Sequence, residues 1–413
     1  MKPIKIGVFG VGRGMSIAKN FQFHNCEIVA LCDNRKDRME EALKILNDPS
    51  VATYEDFDEF LNHPMDAVIL ANFFYDHAPY AIRCMEKGIH IYSECIANGT
   101  MAEGVELIRA AEKSKSIYFL AENYPQMLAN REIKRVCDTK TLGKILYAEG
   151  EYNHPGNPAD TSARKRLNYF ETHWRNFLPK TYYVTHSLGP IMYFTGATPK
   201  RVAAFSSFAG GDDLPSTASY VGDRAAIIIT QNDDGSVFRF TGHASFGARH
   251  DAYRVCGTEG QVENIRGTSE ILLRYNPWSV PEGMEATNRY TLDYEGEDAE
   301  ILKISGHAGG DWWTPKLFLD CIKEGKQPEH PYDVHSAVAM SSVAILGHRS
   351  VLCGGKPYDI PDFHTEEARK QYENDRETPF YKEDGTAPTI PCCSKTDYKP
   401  TEAQLQAYRE SLQ

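Results

Sequence analysis

The 413-residue sequence lacks the features that mark several large classes of proteins. No apolar stretch approaches the roughly 20 residues that a membrane-spanning helix needs. Basic residues are in the minority, 45 against 57 acidic ones, and the net charge of -12 argues against a generally basic surface for nucleic acid or anionic lipid. The cysteines form no CxxC pair and no regular spacing, which excludes a disulfide framework and a zinc ribbon. We therefore expect a small-molecule partner, with no nucleic acid and no membrane.

What the sequence does contain is enough length and apolar material for two cores. Hydrophobic residues make up 41% of the chain, and single cores stop growing at roughly 250–300 residues. Several cysteines lie inside apolar runs, which suits a reducing compartment. Glycines and Arg13 interrupt the apolar opening before a signal peptide could develop. We predict a cytoplasmic protein of two domains.

Short apolar strands alternate with helical segments over the first third of the chain. The predicted strands are 4–9, 27–32, 67–71, 90–92 and 117–121, and the predicted helices are 15–21, 35–46, 78–87 and 104–113. Strands that alternate with helices at these lengths predict βαβ units and a doubly wound parallel sheet, the Rossmann architecture of the α/β class. We assign residues 1–124 to this domain.

Longer strands with alternating polarity follow, at 145–152, 225–229, 236–245, 252–256 and 271–275. Alternation of this kind suits an antiparallel sheet with one covered face. We expect residues 125–361 to form an α+β domain with a large, open, mainly antiparallel sheet. Two later helices are predicted at about 313–323 and 334–347, the second packing back toward the first domain. Residues 362–413 are expected to be an irregular C-terminal extension.

The segment Gly10–Gly14 carries the first chemical signal, with glycines at 10, 12 and 14 between a predicted strand and a helix. Glycines let a dinucleotide pyrophosphate approach the backbone N–H groups at a helix N-terminus. Asp33 follows about 20 residues later, where a carboxylate accepts from a ribose 2′-hydroxyl, and this favours NAD over NADP. Arg35 is a counter-signal, because a guanidinium accepts a 2′-phosphate. The alternative is a structural tight turn that binds no dinucleotide.

Further segments resemble the glucose-fructose oxidoreductase / inositol dehydrogenase / MocA family (Gfo/Idh/MocA), namely 66–77, 88–94, 121–123 and the turn 257–260. The resemblance covers about residues 4 to 360. It implies a Rossmann domain, an open-sheet substrate domain, and nicotinamide-dependent oxidation or reduction of sugar or polyol hydroxyls. With the glycine segment, it implies these cofactor-binding residues: Gly10, Gly12, Arg13, Gly14, Met15, Asp33, Asn72, His77, Glu94 and Asn123.

The departures from this family are informative. Typical members have Glu-Lys-Pro where this chain has Glu94, Cys95 and Ile96, and the lysine usually handles the proton or polarises the substrate. An aspartate usually lies four residues before the catalytic histidine, and here Tyr182 precedes His186 at that spacing. A standard dehydrogenase assignment would therefore depend on residues that this chain lacks.

Segments 174–175, 183–190 and 306–311 are similar to a divergent branch that contains the NAD-dependent glycosidases typified by α-N-acetylgalactosaminidase. Those enzymes oxidise the C3 hydroxyl of the sugar, eliminate the aglycone, add water and reduce the ketone again. Histidine, with an unperturbed pKa of about 6.5, suits removal of a hydroxyl proton. We predict His186 as base, Tyr183 as its partner and His307 as a further catalytic residue. The predicted substrate-binding residues are Tyr124, Trp174, Arg175 and Asp311.

Three functions remain open. The leading hypothesis is an NAD-dependent oxidoreductase that converts a pyranoside to a 3-oxo-glycoside. The second is a redox-neutral glycosidase with tightly bound NAD, although Gln126 stands where such glycosidases tend to have a tyrosine. The third is a non-catalytic NAD-binding sensor, since the family lysine and aspartate are missing. We also expect a homo-oligomer that associates through the sheet of the second domain.

Simpler interpretations of the candidate residues also remain. Tyr183 and His186 would be an ordinary polar cluster at a helix start, and Asp311 the N-cap of the following helix in a glycine-rich loop. His243 and His250-Asp251 lack an evident third ligand, so no metal is expected.

Overall fold

The computed structural model describes residues 2–156, 169–210 and 219–412. The chain divides into two compact units, the first made of 1–132, 292–341 and 363–374, and the second of 133–291, 342–362 and 375–413. The predicted limits at residues 124 and 361 therefore differ from this division, because two later segments pack with the first unit. Within the described ranges, no helix is both long and apolar enough to cross a membrane. The cytoplasmic location stays a prediction.

The first unit contains a six-stranded parallel sheet in the order β3-β2-β1-β4-β5-β6. Its strands are β1 Ile4–Phe9, β2 Cys26–Cys32, β3 Ala52–Tyr54, β4 Ala67–Leu70, β5 His90–Ser93 and β6 Tyr118–Leu120. The order reverses between β1 and β4, which is the doubly wound arrangement, and ligands bind outside the carboxyl ends of the strands at such a reversal. The predicted Rossmann sheet is confirmed. Strand β3 was not predicted, because three residues at a sheet edge show no periodicity.

The described helices are α1 Val11–Phe21, α2 Lys36–Leu46, α3 Phe57–Leu61, α4 His77–Glu86, α5 Met101–Lys113, α6 Leu128–Asp138, α7 Thr185–Thr195, α8 Ala299–Ile304, α9 Gly310–Glu324, α10 Val334–Leu352, α11 Glu366–Lys370 and α12 Glu402–Leu412. Helix α1 buries Val11, Met15, Ala18 and Phe21, which recur at helical spacing and join the core formed with β1 and β4. This core fixes the start of α1 beside the sheet.

An aromatic cluster attaches α9 to the Rossmann sheet within the first unit. Phe318 of α9 contacts Phe21, Tyr92 and Phe119, with ring centroids 6.3, 5.3 and 5.9 Å away. Tyr332 stacks on Phe119 at 4.8 Å. Aromatic pairs at these separations add to the stabilisation from burial. The cluster therefore sets the position of the N-terminal end of α9, where Asp311 lies.

The second unit contains a nine-stranded sheet in the order β14-β13-β12-β11-β7-β10-β9-β8-β15, antiparallel except for the pair β7 and β10. Its strands are β7 Ile145–Asn153, β8 Pro199–Phe208, β9 Asp223–Asn232, β10 Val237–Thr241, β11 His250–Gly257, β12 Gly260–Asn264, β13 Glu270–Tyr275, β14 Thr287–Thr291 and β15 Tyr358–Asp359. The predicted mainly antiparallel sheet is confirmed. Four strands of this sheet were not predicted. β12, β14 and β15 are short or polar, and β8 begins with a proline and two basic residues.

The C-terminal segment 375–413 packs as part of the second unit. Phe380, Cys393 and Tyr408 are buried there. The expectation of an irregular extension is wrong at its end, where α12 forms. The backbone N–H of Gln404 donates to Thr401 Oγ1 at 3.3 Å, and the N–H of Thr401 donates to Gln404 Oε1 at 2.8 Å. This capping box, Thr401-x-x-Gln404, is readable from the sequence and predicts the helix start.

A buried histidine makes the stability of the second unit depend on pH. His348 donates from Nε2 to the carbonyl oxygen of Pro391 at 2.7 Å. Burial lowers the pKa of His348 to about 4, which the bond to Pro391 opposes and Arg349 reinforces. An unfolded histidine titrates at about 6.5, so the unfolded chain takes up the proton first. The stabilisation is complete above that value and is lost as the pH falls toward 4.

We expect the free energy of unfolding to fall by about 2 kcal/mol through this group between pH 7 and pH 5. Denaturant unfolding of the protein and of His348→Gln at both pH values measures it. The glutamine keeps an N–H donor but does not titrate, so the variant should lose less stability on acidification. Equal losses in the two proteins would contradict the assignment.

Candidate functional site

The turn between β1 and α1 requires glycine at two positions. Gly10 precedes α1 with a left-handed φ of 87°, and a Cβ there would lie 2.3 Å from the carbonyl oxygen of Ala71. A Cβ on Gly14 would lie 2.6 Å from Cγ1 of Val8, so this glycine lets the helix approach the strand. At Gly12 a Cβ would meet the guanidinium of Arg38 at 2.9 Å. The turn therefore presents bare backbone at a helix N-terminus, as a pyrophosphate requires.

Asp33 lies directly after β2 and faces this turn. Its Oδ2 accepts from the backbone N–H of Val11 at 2.9 Å, and its Oδ1 accepts from the N–H of Arg35 at 2.9 Å. Burial raises the pKa of Asp33 above its usual value, and the hydrogen bonds from Arg35 and Val11 only partly oppose this shift. The guanidinium of Arg35 pairs with Asp37, its Nε donating to Oδ1 at 3.0 Å. This pairing engages the group that a 2′-phosphate would need and so favours NAD.

Two buried polar atoms lie beyond the end of β4, on Asn72 and His77. Asn72 donates from Nδ2 to the carbonyl of Asp76 at 3.1 Å, and His77 donates from Nδ1 to the carbonyl of Ile96 at 2.8 Å. Within the described residues, Asn72 Oδ1 and His77 Nε2 have no hydrogen-bond partner. Burial lowers the pKa of His77. Buried polar groups without partners are rare and call for a ligand or water. Both residues therefore fit a bound dinucleotide.

Glu94 connects α1 to the end of β5. Arg13 donates from Nε to Glu94 Oε1 at 2.7 Å, and the backbone N–H of Cys95 donates to Oε2 at 2.8 Å. The thiol of Cys95, which occupies the position of the family lysine, lies 3.4 Å from Glu122 Oε2. Glu122 also accepts from the N–H of Tyr124 at 3.1 Å. The site therefore contains a thiol hydrogen-bonded to a buried carboxylate where other members place an ammonium.

Asp311 joins Asn123 and His307 in one hydrogen-bonded chain. Asn123 donates from Nδ2 to Asp311 Oδ1 at 2.5 Å, and His307 donates from Nδ1 to Asp311 Oδ2 at 2.9 Å. Burial raises the pKa of Asp311, but the bonds from His307 and Asn123 and the charge of Arg13 outweigh it and hold the pKa below its usual value. The ring of Tyr124 lies 5.5 Å from that of His307. The simpler interpretation of Asp311 as an N-cap is wrong, because Gly309 occupies that position.

A crevice in the first unit brings several of these residues together. It is lined by Arg13, Ser16, Ile17, Asn20, Tyr92, Ala121, Asn123, Asp311 and Pro315. Met15, predicted to bind the cofactor, packs its side chain in the core of the Rossmann sheet, and its predicted role stays a prediction. The reason for this packing is helical spacing, since Met15 lies one turn after Val11 on the buried face of α1.

Tyr183 and His186 belong to an aromatic cluster in the second unit. Their ring centroids are 5.4 Å apart, and Tyr152 contacts both, at 5.6 Å from Tyr183 and 5.0 Å from His186. His243 lies 5.5 Å from Tyr183. The carbonyl oxygen of His186 accepts from the hydroxyl of Tyr253 at 2.6 Å. Two tyrosine rings therefore contact the imidazole of His186 at the start of α7, and Tyr253 holds its backbone.

Lys180 is a residue of this cluster that the sequence did not reveal. Its Nζ lies 3.3 Å from His243 Nδ1 and 3.4 Å from Ser245 Oγ. Burial, with the charge of Arg224, lowers the pKa of Lys180 to about 8, and Asp223 opposes the shift. Burial and Lys180 lower the pKa of His243 well below its usual value. The available signal was the three-residue spacing of Lys180, Tyr183 and His186, which places them near one another at a helix entrance.

Trp174 and Arg175 begin a short 3-10 helix, Trp174–Phe177, also in the second unit. The guanidinium carbon of Arg175 lies 4.3 Å from the centroid of the Trp174 ring. The ring of His173 also stacks with that of Trp174, with centroids 5.4 Å apart. A guanidinium over an indole face is an attractive arrangement. Trp174 is buried and Arg175 half-buried, so the arginine retains access to solvent.

The predicted site residues thus form two sets. The cofactor-binding residues lie in the first unit together with Tyr124, His307 and Asp311, whereas Trp174, Arg175, Tyr183 and His186 lie in the second. Their roles stay predictions. Among the residues that the structure describes, no group of three or more His, Cys, Asp or Glu side chains is arranged to hold a metal ion.

The strand order, the glycine turn and Asp33 define a Rossmann domain of the dinucleotide-binding kind. Residues 4–122 match the family described as "Oxidoreductase family, NAD-binding Rossmann fold", and the chain is an NAD-dependent enzyme of this class. Residues 133–371, more than half of the chain, match the C-terminal domain of glycosyl hydrolase 109. The chain belongs to glycosyl hydrolase family 109, the divergent branch that the sequence resembles.

Curated relatives agree with this assignment, and solved structures share the fold. A glycosyl hydrolase family 109 protein of Solibacter usitatus (strain Ellin6076) is 26% identical, over 87% of this chain and 88% of that protein. A second family 109 protein, from Stenotrophomonas maltophilia (strain K279a), is 24% identical over 88% of this chain and 89% of that protein. A levoglucosan dehydrogenase in complex with NADH and levoglucosan matches 87% of this chain and all of its own with a TM-score of 0.72 and 16% identity. Myo-inositol 2-dehydrogenase from Lactobacillus plantarum matches 87% of this chain and 100% of its own, with a TM-score of 0.64 and 19% identity. These two structures show the fold.

Replacing Asp33 by alanine is expected to weaken NAD binding by about 10- to 100-fold, because the carboxylate supplies a charge-assisted hydrogen bond and anchors the turn through Val11. Titration of NADH fluorescence measures the dissociation constant. Asp37→Ala, an exposed acid close by on α2, is the matched control and should bind normally. An unchanged constant for Asp33→Ala would contradict its role.

Proposed function

We propose that the protein oxidises the C3 hydroxyl of a pyranoside with NAD and forms a 3-oxo-glycoside. The observation that carries the proposal is the hydrogen-bonded chain of Asn123, Asp311 and His307 in the same unit as the NAD turn. Membership of glycosyl hydrolase family 109 supports a glycoside as substrate. The shared fold of a levoglucosan dehydrogenase and a myo-inositol dehydrogenase supports oxidation of a sugar or polyol hydroxyl.

The reaction needs a base that takes the hydroxyl proton as the C3 hydrogen leaves with its electron pair. When bound, NAD accepts that hydride. We assign His186 as the base, and Tyr183 donates a hydrogen bond to the oxygen as negative charge develops there. The edge-on contacts of Tyr152 and Tyr183 with His186 support this assignment, because they restrict the orientation of the imidazole. Arg175 and Trp174 bind other parts of the sugar.

His307 is assigned to a second substrate hydroxyl. In the neutral ring whose Nδ1 donates to Asp311, Nε2 is left as an acceptor. The backbone supports a special role, since His307 has a φ of 50° and Ala308 a φ of 48°. Non-glycine residues in this left-handed region are costly and concentrate at functional sites.

A redox-neutral glycosidase is the second candidate, favoured by the family 109 match of residues 133–371. The same oxidation at C3 would acidify the C2 proton, after which the aglycone leaves, water adds and the ketone is reduced. Gln126 weighs against the complete cycle. It is buried and donates from Nε2 to the hydroxyl of Tyr332 at 2.8 Å, a structural contact rather than a phenolic group for the reaction.

One experiment separates the candidate functions. Bound nucleotide is identified by mass spectrometry, and the protein is incubated with α- and β-glycosides with and without added NAD. NADH with a product lighter by two hydrogens supports the oxidoreductase, whereas free aglycone without net NADH supports the glycosidase. Absence of both with every glycoside would sink both and leave a non-catalytic NAD-binding sensor.

The open face of the nine-stranded sheet is proposed to join two copies of the chain. Phe205 and Ile229, which lie on the same face of two neighbouring strands, are 62% and 48% exposed. Opposite charges adjoin them, with Glu149 paired to Arg239 at 3.6 Å and to Arg254 at 3.1 Å. Apolar patches beside mixed charges are typical of self-complementary interfaces.

Phe205→Glu is expected to shift the protein toward monomers, because it places a charge in the apolar part of this face. Light scattering after size-exclusion chromatography measures the molecular mass. Trp278→Glu, which changes an apolar side chain that is 81% exposed outside the strands, is the control. An unaltered oligomer for Phe205→Glu, or a monomeric parent protein, would refute the interface.

A further inference from the structure

The C-terminal segment 375–413 contacts the backbone that carries the predicted sugar-binding residues. It belongs to the second unit and lies outside the two ranges, 4–122 and 133–371, that match known families. The segment that it contacts, 171–182, contains Trp174 and Arg175 and leads directly into Tyr183. The tail therefore contacts the part of the unit to which the proposed function assigns sugar recognition.

Helix α12 provides the first set of contacts. The hydroxyl of buried Tyr408 lies 3.3 Å from Asn176 Nδ2, which donates to it. Arg409 donates from Nε to Glu171 Oε2 at 3.2 Å. Asn176 is itself buried, and its Nδ2 also donates to the carbonyl of Glu171 at 3.0 Å. Two tail residues therefore fix both ends of the turn that contains Trp174 and Arg175.

The middle of the tail provides a second, apolar set. Phe380 is fully buried and lies edge-on to Tyr182 at 5.2 Å, and Tyr381 lies edge-on to Phe177 at 5.1 Å. Phe177 follows Arg175 by two residues, and Tyr182 immediately precedes Tyr183. Because packed aromatic pairs have few alternative arrangements, these contacts restrict the backbone on both sides of the candidate residues.

Tyr220 connects the two sets. Its ring stacks on Phe177 at 4.5 Å, and its backbone N–H donates to the carbonyl of Asn176 at 2.7 Å. Its hydroxyl lies 3.2 Å from Glu171 Oε1, and its carbonyl accepts from the thiol of Cys392 at 3.5 Å. The tail thus contacts segment 171–182 directly and also through Tyr220.

We propose that the C-terminal segment determines sugar specificity by holding residues 171–182 in place, with Tyr408 and Arg409 as positioning residues. The inference depends on the proposed function for its substrate, since Trp174 and Arg175 are assigned there to sugar binding. The NAD turn lies in the first unit and shares none of these contacts. Loss of the tail contacts should therefore alter KM for the glycoside and the choice among glycosides, but leave NAD affinity unchanged.

The test begins with full-length Tyr408→Phe and Arg409→Gln. Hydrogen exchange of residues 169–183, followed by mass spectrometry, should accelerate in both, and KM for the preferred glycoside should rise by about 2- to 10-fold for Tyr408→Phe. Its kcat should change less than KM. Gln406→Ala is the control, because this exposed side chain donates to Glu410 within α12 at 2.8 Å and, among the described residues, does not bond to segment 171–182.

A chain ending at Lys399 removes α12 and should show a larger rise in KM and a changed ratio of kcat/KM between two glycosides. A synthetic peptide of residues 400–413 should restore both. Unchanged exchange in 169–183, or faster exchange with unchanged discrimination, overturns the proposal. If the parent protein turns over no glycoside, the proposed function fails, and the exchange data alone then decide whether the tail positions the segment.

Discussion

The His186→Ala variant is expected to lose about 10²- to 10⁴-fold in kcat for glycoside oxidation, the range that a positioned general base contributes. The imidazole is the group assigned to take the hydroxyl proton. Tyr152 and Tyr183 contact its ring within 5.0 and 5.4 Å, so its orientation is set before a sugar binds. NADH formation in the steady state measures the loss.

Two further measurements make this result specific. The dissociation constant for NAD should not change, because the cofactor turn lies in the first unit and His186 in the second. His250→Gln is the matched histidine control; its Nε2 lies 3.0 Å from Glu151 and it makes no ring contact with the Tyr183 cluster among the described residues. Full turnover in His186→Ala would remove the base assignment.

The Rossmann domain was predictable because its signals are dense and local. Five apolar runs, four helical segments and the glycine turn all lie within the first 124 residues, and each buried parallel strand reads as a continuous apolar run. The second domain was harder to predict. Strands such as β12 and β14 are five residues long and carry mostly polar or charged side chains, so pairing with neighbouring strands rather than apolar periodicity defines them.

The sequence indicated which residues belong to the candidate site, but not which of them contact one another. His307 and Asp311 are only four residues apart, so their proximity is readable locally. Asn123, in contrast, lies 188 residues from Asp311 and reaches it only in the folded chain. Lys180 was missed because its three-residue spacing from Tyr183 and His186 does not indicate that its side chain is buried. Its lowered pKa depends on burial and on Arg224, which only the fold brings near.

The loss of the family lysine acquires a physical meaning from these contacts. Cys95 cannot carry an ammonium, and its thiol lies 3.4 Å from the carboxylate of Glu122. A lysine with a pKa of about 8 occurs instead in the second unit, beside His243 and three residues before Tyr183. The chain therefore retains groups able to exchange protons near neutral pH, but on different elements from those of typical members.

Asp311→Asn is expected to lower kcat/KM by about 10²-fold, because the carboxylate that orients His307 is replaced by a group with an N–H₂ donor. Asp311 accepts from Asn123 and from His307 at once, at 2.5 and 2.9 Å. An amide oxygen can satisfy only one of them, and its N–H₂ then faces the other donor. Stability should also fall, by about 1–3 kcal/mol for a buried polar group left unpaired.

The pH dependence gives this prediction a second readout. The folded pKa of Asp311 lies below its usual value, so its stabilisation is present above the unfolded pKa of about 3.9 and is lost as the pH falls through the folded value. The variant should lack this acid-sensitive part in denaturant unfolding. Asp320→Asn, on the same helix and paired with Lys316 at 2.5 Å, is the matched control. Parent-like kcat/KM in Asp311→Asn would show that the orientation of His307 does not matter for the reaction.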